Sequence, residues 1–177
     1  MDRPVPDASR YSAVEELRNG RPVEIRALKP DDRDDLIAAV GRSSAQSIYR
    51  RFFGARRHFS EKEIAFFVNV DFNTHVALVA VLQEHGRQQI VGGGRYVVTT
   101  PGRAEIAFTV VDQYQGQGVG GVLLRHLATL AREAGLQELI AEVLPDNAPM
   151  LKVFRSSGLP MNTTRKADLV EVILKLQ

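Results

Sequence analysis

The sequence predicts an α/β (α+β) domain built on a mixed, mostly antiparallel sheet. Two apolar segments on either side of Gly86-Arg87, HVALVAVLQEH and QQIVGGGRYVVTT, are typical of an antiparallel hairpin. A third segment, AEIAFTVVD (104–112), follows Pro101-Gly102 and continues the meander. The rest of the chain alternates helical and strand-like segments, and 177 residues with 44% apolar content suffice for one buried core.

The chain begins with a segment that carries little sequence signal. We expect residues 1–20 to form a loosely packed lead segment and residues 21–177 to form a single domain. PVEIRAL (22–28) alternates apolar and polar residues, which predicts the first strand. Pro30 and the acidic residues after it predict a helix over Asp32–Val40, because carboxylates stabilise the first turn of a helix.

Two further helices are predicted before the hairpin. One covers Ala45–Phe53. The other is EIAFFVNV, where Ser60 and Glu63 have the spacing of a capping box. Within the hairpin, Gly92-Gly93-Gly94 indicates either a bulge or a close approach of a ligand to the strand.

The last third of the chain predicts two helices that alternate with two strands. The first helix follows a glycine-rich loop, carries one apolar stripe and ends at Gly135. LQELIAEVL is the next strand, Asn147–Ser157 the second helix, and DLVEVILKL the final strand. The stripe consists of Val119, Val122, Leu123, Leu127, Leu130 and Ala131.

Composition excludes several classes of protein. The chain has no cysteine, which rules out disulfides and thiolate zinc sites. Its four histidines lack paired metal spacing, so we expect no metal; His75 should support strand packing and His126 should lie on a helix surface. No apolar run reaches the roughly 20 residues of a membrane span, and the first residues lack a signal peptide's apolar core. We therefore expect a cytoplasmic protein, and a net charge of +2 gives no reason to expect nucleic acid as a partner.

The stretch QGQGVGG (115–121) points to a phosphate-bearing ligand. It precedes a predicted helix, and N–H groups at the start of a helix are unpaired donors with a partial positive charge. One interpretation is a turn in which glycine relieves backbone strain. A second is a dinucleotide loop, since Gly116, Gly118 and Gly121 fit GxGxxG, but that loop normally opens a series of β-α-β units. A third pattern, Gln-x-x-Gly-x-Gly, fits as well.

Two motifs carry a resemblance to a known family. FTVVDQYQGQGVGGVLLRHLATLAREAG resembles the acetyl-CoA-binding motif of the GNAT acetyltransferases, Arg/Gln-x-x-Gly-x-Gly/Ala. NAPMLKVFRSSGL (147–159) is similar to the family's Asn-led helix that ends in Gly-Phe. The resemblance covers about residues 22–177 and implies the GNAT acyl-CoA N-acyltransferase fold, with helices on both faces of the sheet.

Further segments resemble one subgroup of this family. LRNGRPVEIRALKPDD, SIYRRFF, the VD of VNVDF, HVALVA, IVGGGRY, AEIAF and VLPDNAPML are similar to the catalytic domain of bacterial protein-lysine acetyltransferases. Those relatives are often fused to a cyclic-nucleotide domain or an acyl-CoA synthetase-like region. Neither fits in this length, so we expect regulation through such a domain to be absent.

The resemblance implies that acetyl-CoA is the acetyl donor and that one group of residues binds it. The backbone N–H near Val110 would point to the thioester oxygen, where a fixed donor stabilises developing negative charge. Asn147 would hydrogen-bond the pantetheine arm or order the loop, and it is equally suited to cap the helix that follows. The expected cofactor-binding residues are Phe108, Thr109, Val110, Gln115, Gly116, Gln117, Gly118, Val119, Gly120, Gly121, Asn147 and Phe154.

Acetyl transfer requires a neutral amine, and a free lysine with a pKa of about 10.4 is charged at neutral pH, so a base or a desolvating site must help. Along a strand, Glu105 shares one face with the small residues Ala107 and Thr109. The pattern alone favours a solvated glutamate on an edge strand. Similar lysine acetyltransferases have a catalytic glutamate in the same AEIAF-like context, so the resemblance implies that Glu105 is the base.

One residue departs from the family pattern. Many GNAT enzymes carry a tyrosine where this chain has Phe154, and that hydroxyl can protonate the leaving thiolate. A thiol with a pKa of about 8.5 leaves tolerably without an acid, so catalysis is still expected. Tyr114 is a candidate substitute.

The segment RRFFGARRH (50–58) mixes basic and aromatic residues. Single-strand nucleic-acid binders have this composition, and so do helix ends with solvated arginines over a packed Phe pair, which are more common. A third role is a rim of the acceptor groove, at which Arg50, Arg51, Arg56 and Arg57 would select acidic surroundings of a target lysine.

The sequence therefore predicts an N-acetyltransferase that uses acetyl-CoA and acts on a protein lysine, with direct transfer in a ternary complex. Two alternatives stay open. One is an acetyltransferase of small amines, and the other is an acetyl-CoA-binding sensor domain without activity.

Overall fold

A computed structural model describes residues 7–41 and 60–176, apart from the side chains at positions 40 and 41. Its strands are β1 Ser12–Glu16, β2 Pro22–Ala27, β3 His75–Glu84, β4 Arg87–Thr100, β5 Arg103–Val110, β6 Glu138–Val143, β7 Met161–Lys166 and β8 Leu169–Lys175. Its helices are α1 Arg33–Gly41, α2 Glu61–Val68, α3 Val119–Glu133 and α4 Ala148–Arg155, with short 3-10 turns at Ala8–Arg10, Pro30–Asp32 and Asp112–Tyr114.

The described strands form one sheet in the order β1-β2-β3-β4-β5-β6-β8-β7. Neighbouring strands are antiparallel except β5 and β6, which are parallel. The predicted mixed, mostly antiparallel sheet is therefore confirmed. No helix in the described ranges is long and apolar enough to cross a membrane.

The hairpin of β3 and β4 closes at His85 and Gly86, one residue earlier than predicted. Both residues have positive φ, 51° and 78°, as a two-residue hairpin turn with right-handed twist requires. A bulge lies further along, because Ala80 pairs with Gly92 while Val81 pairs with Ile90. The extra residue is Val91, so the bulge lies directly before the glycine run rather than within it.

Helices cover both faces of the sheet, as predicted. A Cβ on Gly94 would lie 2.7 Å from Cδ1 of Phe108 and 2.9 Å from Cδ1 of Leu127, so α3 packs directly onto the backbone of β4. The next residue, Arg95, points to the opposite face. There its Nη1 donates to the carbonyl oxygen of Phe67 in α2 at 3.1 Å.

The apolar stripe predicted for α3 is buried in full, and the helix ends before Gly135, whose φ is 86°. His126 corrects the sequence prediction, since it is 9% exposed rather than on the helix surface. Its Nε2 lies 2.6 Å from Oε1 of Glu15, and its Nδ1 bonds to the hydroxyl of Tyr11. β1 and the residue before it cover this side of α3, and the sequence predicted no strand there.

Two edge strands were not predicted. β1 pairs along β2, so the loose packing expected within residues 1–20 is wrong for the paired residues 12–16. β7 pairs along β8 at the other edge and is almost wholly exposed. The capping box at α2 is confirmed, because Ser60 Oγ accepts from the Glu63 N–H at 3.1 Å. The helix predicted over Ala45–Phe53 lies outside the described residues.

The contact between β5 and β6 is short. Only three residue pairs connect the two strands, from Arg103 opposite Glu138 to Glu105 opposite Ile140. β5 then continues to Val110 and β6 to Val143 without further pairing to each other. The sheet therefore splits after Glu105.

Candidate active site

A cleft of about 1210 Å³ opens at the split between β5 and β6. Drug-sized pockets span roughly 300–1,000 Å³, so this cleft has room for a larger ligand. Every residue that the sequence assigns to catalysis or cofactor binding lines it, from Glu105 to Phe154. Their roles in binding and chemistry remain predictions.

The glycine loop (115–121) enters α3 through two residues with left-handed backbone. Gly116 has φ 82°, and Gly118, the N-cap of α3, has φ 97° and ψ 5°. Gly118 supplies no side-chain cap, and the first turn contains no acidic residue. The N–H groups of that turn have no intrahelical acceptor, so they form a favourable place for an anion.

The glycines of the loop serve different purposes. A Cβ on Gly120 would lie 3.3 Å from Cγ2 of Val153, so glycine there allows α3 and α4 to approach each other. Nothing lies within 4 Å of the Cβ positions of Gly116 and Gly121. These two positions therefore leave open space beside the backbone of the loop.

The loop is held from two sides. Gln115 Nε2 donates to the carbonyl oxygen of Val110 at 3.1 Å, which fixes the loop to the end of β5. The turn between β1 and β2 holds the other side, where the Arg18 N–H donates to the Gln117 carbonyl at 3.2 Å. Asn19 Nδ2 donates to Oε1 of Gln117 at 3.2 Å. The sequence did not predict a role for Arg18 or Asn19. Asn19-Gly20 is a turn signature, but nothing in it indicates a contact with Gln117.

The backbone of Val110 points toward the split. The N–H of Val111 donates to the Val91 carbonyl in β4 at 2.9 Å. Because successive N–H groups of a strand point to opposite sides, the N–H of Val110 points away from β4. β6 no longer pairs with β5 at Val110, so the Val110 N–H faces the cleft.

Glu105 is exposed and lies at the last paired position before the split. It is opposite Val97 of β4, so both side chains stand on the face covered by α2. Ala107 and Thr109 continue this face and also line the cleft. No hydrogen bond or ion pair joins the Glu105 carboxylate to another residue of the described ranges.

An aromatic and cationic cluster borders the cleft on the α2 side. His75 is 7% exposed, and its Nε2 lies 2.9 Å from Nη1 of Arg95. Burial, and then the charge of Arg95, lowers the pKa of His75 to about 4, while Asp71 acts in the opposite direction. The half-exposed ring of Phe66 lies 4.9 Å from the His75 ring, and Arg95 stacks over Phe67 at 4.9 Å. His75 thus supports strand packing, as predicted.

The remaining predicted residues lie around the base of the cleft. Asn147 is buried and caps α4, since its Oδ1 accepts from the Met150 N–H at 3.3 Å. Phe154 is 1% exposed, and its ring lies 5.6 Å from that of Phe108. The hydroxyl of Tyr114 donates to Oε1 of Glu84 at 3.0 Å, so its proton is directed to that carboxylate. This geometry argues against Tyr114 as the acid for a leaving thiolate.

Arg50, Arg51, Arg56 and Arg57 lie outside the described residues. Within residues 7–41 and 60–176, no three His, Asp or Glu side chains are grouped so as to hold a metal ion.

A mixed sheet that splits beside a parallel strand pair, with a glycine-rich helix start in the split, defines an acyl-CoA N-acyltransferase fold. Comparison with known proteins supports this fold. A model of the acetyltransferase (GNAT) family matches residues 42–159, and the chain belongs to that family, which uses acetyl-CoA.

Three similar proteins extend this finding. An acetyltransferase of Pseudomonas aeruginosa is 34% identical over 145 residues, covering 76% of this chain and 78% of that protein. Acetyltransferase Pat of Mycolicibacterium smegmatis is 30% identical over 145 residues, or 81% of this chain, but the match spans only 43% of Pat. The solved GNAT domain of S. lividans PAT is 32% identical, with a TM-score of 0.84 over 93% of this chain and 96% of that one.

Proposed function

We propose that this chain transfers the acetyl group of acetyl-CoA to the side-chain amine of a protein lysine, with Glu105 as the general base. The observation that carries the proposal is the position of the Glu105 carboxylate. It lies at the split of the sheet, in the same cleft as the glycine loop, and has no partner among the described residues.

The residues of the cleft fit an acetyl-CoA donor. The first turn of α3 offers backbone donors to the diphosphate, with the open positions of Gly116 and Gly121 beside them. The cleft between β5 and β6 has a volume that would admit the pantetheine arm. When bound, acetyl-CoA supplies a thioester carbonyl that an amine can attack.

The chain's own groups account for the remaining chemistry. As the amine nitrogen bonds to the carbonyl carbon, its proton passes to Glu105, directly or through a water molecule. The N–H of Val110 donates to the oxygen on which negative charge develops. The C–S bond then breaks, and the departing sulfur takes its proton from solvent, because Phe154 has no hydroxyl to supply one.

The acceptor side favours a long aliphatic amine. Phe66, Phe67 and Val97 line the cleft on the face of Glu105, and an apolar wall of this kind suits the alkyl stem of lysine. The sequence segments similar to bacterial protein-lysine acetyltransferases support the same acceptor. Two of the similar proteins are named Pat or PAT.

The base is tested by Glu105→Gln. This change preserves size, so acetyl-CoA should bind as before while kcat falls by about 10²–10⁴, the range expected for a lost general base. Partial recovery at high pH should follow, because the free amine is then neutral. Glu142→Gln is a matched control, since Glu142 also lines the cleft on β6 and should leave kcat unchanged. A Glu105→Gln variant that keeps more than about a third of wild-type kcat would show that another group is the base.

The acceptor is tested separately with labelled acetyl-CoA. The enzyme is incubated with lysate proteins and, in parallel, with polyamines and aminoglycosides. Incorporation into protein lysines supports the proposal. Incorporation only into small amines would replace the acceptor, and binding without any turnover would indicate a sensor domain.

A further inference from the structure

We propose that Arg18, in the turn between β1 and β2, binds the diphosphate of CoA and makes that turn part of the cofactor site. This inference rests on the proposed function. It adds a cationic side chain to a loop whose own residues carry no charge.

Arg18 lies across the start of α3. Its Nη1 donates to the Gly116 carbonyl at 3.3 Å, and its Cγ and Nε lie 3.6 Å from the Cβ position of Gly118. The side chain is exposed and lines the cleft. The guanidinium is therefore held beside the anion-binding end of the helix while its surface stays open to solvent.

The other arginines that line the cleft among the described residues are engaged with protein groups. Arg125 pairs with Glu15, and Nε of Arg132 donates to the Leu176 carbonyl at 2.8 Å. Arg95 lies on the acceptor side, bonded to α2. Lys152 also lines the cleft, but it stands on α4 rather than on the glycine loop. Arg18 is thus the cation that the described structure offers at the loop itself.

The chemistry of the side chain suits a diphosphate. A guanidinium is always charged and has five N–H donors in a planar fork that matches phosphate oxygens. Within the described residues the Arg18 side chain makes one hydrogen bond, to the neutral Gly116 carbonyl, and this uses one donor. Hydrogen bonds to a charged phosphate are about twice as strong as neutral ones, so the guanidinium gains by turning its remaining donors to the ligand.

Simple clamping of the loop is the competing explanation. The Arg18 N–H and the Asn19 side chain already bond to Gln117, and neither bond involves charge. Asn19→Ala therefore removes a clamp without removing the guanidinium. Arg18→Met removes the charge and keeps the backbone bond and most of the aliphatic stem that packs over Gly118.

The experiment is isothermal titration of the purified full chain with CoA, dephospho-CoA and pantetheine. Arg18→Met should raise the Kd for CoA and dephospho-CoA at least tenfold and leave that for pantetheine unchanged, because only pantetheine lacks the diphosphate. Arg18→Lys should recover part of the affinity. Arg10→Met, a change at an exposed arginine that does not line the cleft, should bind CoA like the wild type. Asn19→Ala, which removes one clamp of the loop, should lose less affinity for CoA than Arg18→Met.

Three results would overturn the inference. An unchanged Kd for CoA in Arg18→Met would show that the guanidinium does not touch the ligand. A loss for CoA but not for dephospho-CoA would assign Arg18 to the 3′-phosphate, and an equal loss in Asn19→Ala would assign the turn to clamping. These results require a wild type that binds CoA; if it does not, the proposed function itself fails, and this inference with it.

Discussion

Acidification should destabilise the protein through His75. This residue is 7% exposed and faces the guanidinium of Arg95, with Asp71 as the opposing charge. Its pKa falls from the ordinary 6.5 to about 4 in the folded protein. Between pH 6.5 and about 4 the unfolded chain binds more protons at His75 than the folded chain does. The contribution of neutral His75 to stability is therefore present above pH 6.5 and is lost as the pH falls toward 4.

The size of the effect follows from the same two pKa values. One pKa unit corresponds to about 1.36 kcal/mol, so at about pH 5 the loss should be about 2 kcal/mol relative to neutral pH. Hydrogen bonds, first that from the Thr74 hydroxyl, lower the pKa of Asp71 to about 2. Asp71 therefore loses its contribution only below the ordinary value of 3.8, outside the window of His75.

Urea unfolding at about pH 7 and about pH 5, on the wild type and on His75→Gln, measures this difference. Glutamine stays neutral and can still accept from Arg95, so the variant should lack the His75 component of the pH dependence. Other titrating groups are common to both proteins and cancel in the comparison. If both lose the same free energy between the two pH values, His75 is not kept neutral by the fold.

Two further predictions concern glycines. Gly118→Ala forces a residue with Cβ into φ 97°, which should lower the free energy of unfolding by about 1–2 kcal/mol and weaken acetyl-CoA binding at least about tenfold. Urea unfolding measures the first effect and calorimetric titration the second. The control Gly121→Ala, at an open helical position, should be as stable as the wild type. Gly94→Ala places a methyl group within 3 Å of Phe108 and Leu127, which should cost about 1–3 kcal/mol in the same unfolding assay, and an undiminished stability would mean that α3 can move away from β4.

The sequence predicted the elements whose signal is local. The hairpin, the stripe of α3 and the capping box at Ser60 each depend on residues within a few positions of one another. β1 and β7 lack such a signal, because edge strands with solvent on most sides need no apolar alternation. His126 was predictable, since it lies four residues after Val122 and four before Leu130 on the buried stripe.

The candidate site divides in the same way. The glycine loop and Glu105 lie in one continuous stretch, and the family motif identifies that stretch directly. Arg18 lies 98 residues from Gly116, and their contact depends on how β1 and β2 sit at the edge of the sheet. No spacing rule in the sequence relates two such positions, so only the folded arrangement reveals the pair.

The three residue pairs between β5 and β6 form a seam between two parts of the sheet. β1–β5 form a run of antiparallel neighbours, whereas β6, β8 and β7 form a second antiparallel unit that follows α3 in the chain. Little of the sheet's hydrogen bonding holds this unit in place, so local opening at the seam needs less free energy than opening within either part. A ligand in the cleft contacts both parts, and its binding energy adds to the seam. Ligand concentration should therefore control how cooperatively the two parts unfold.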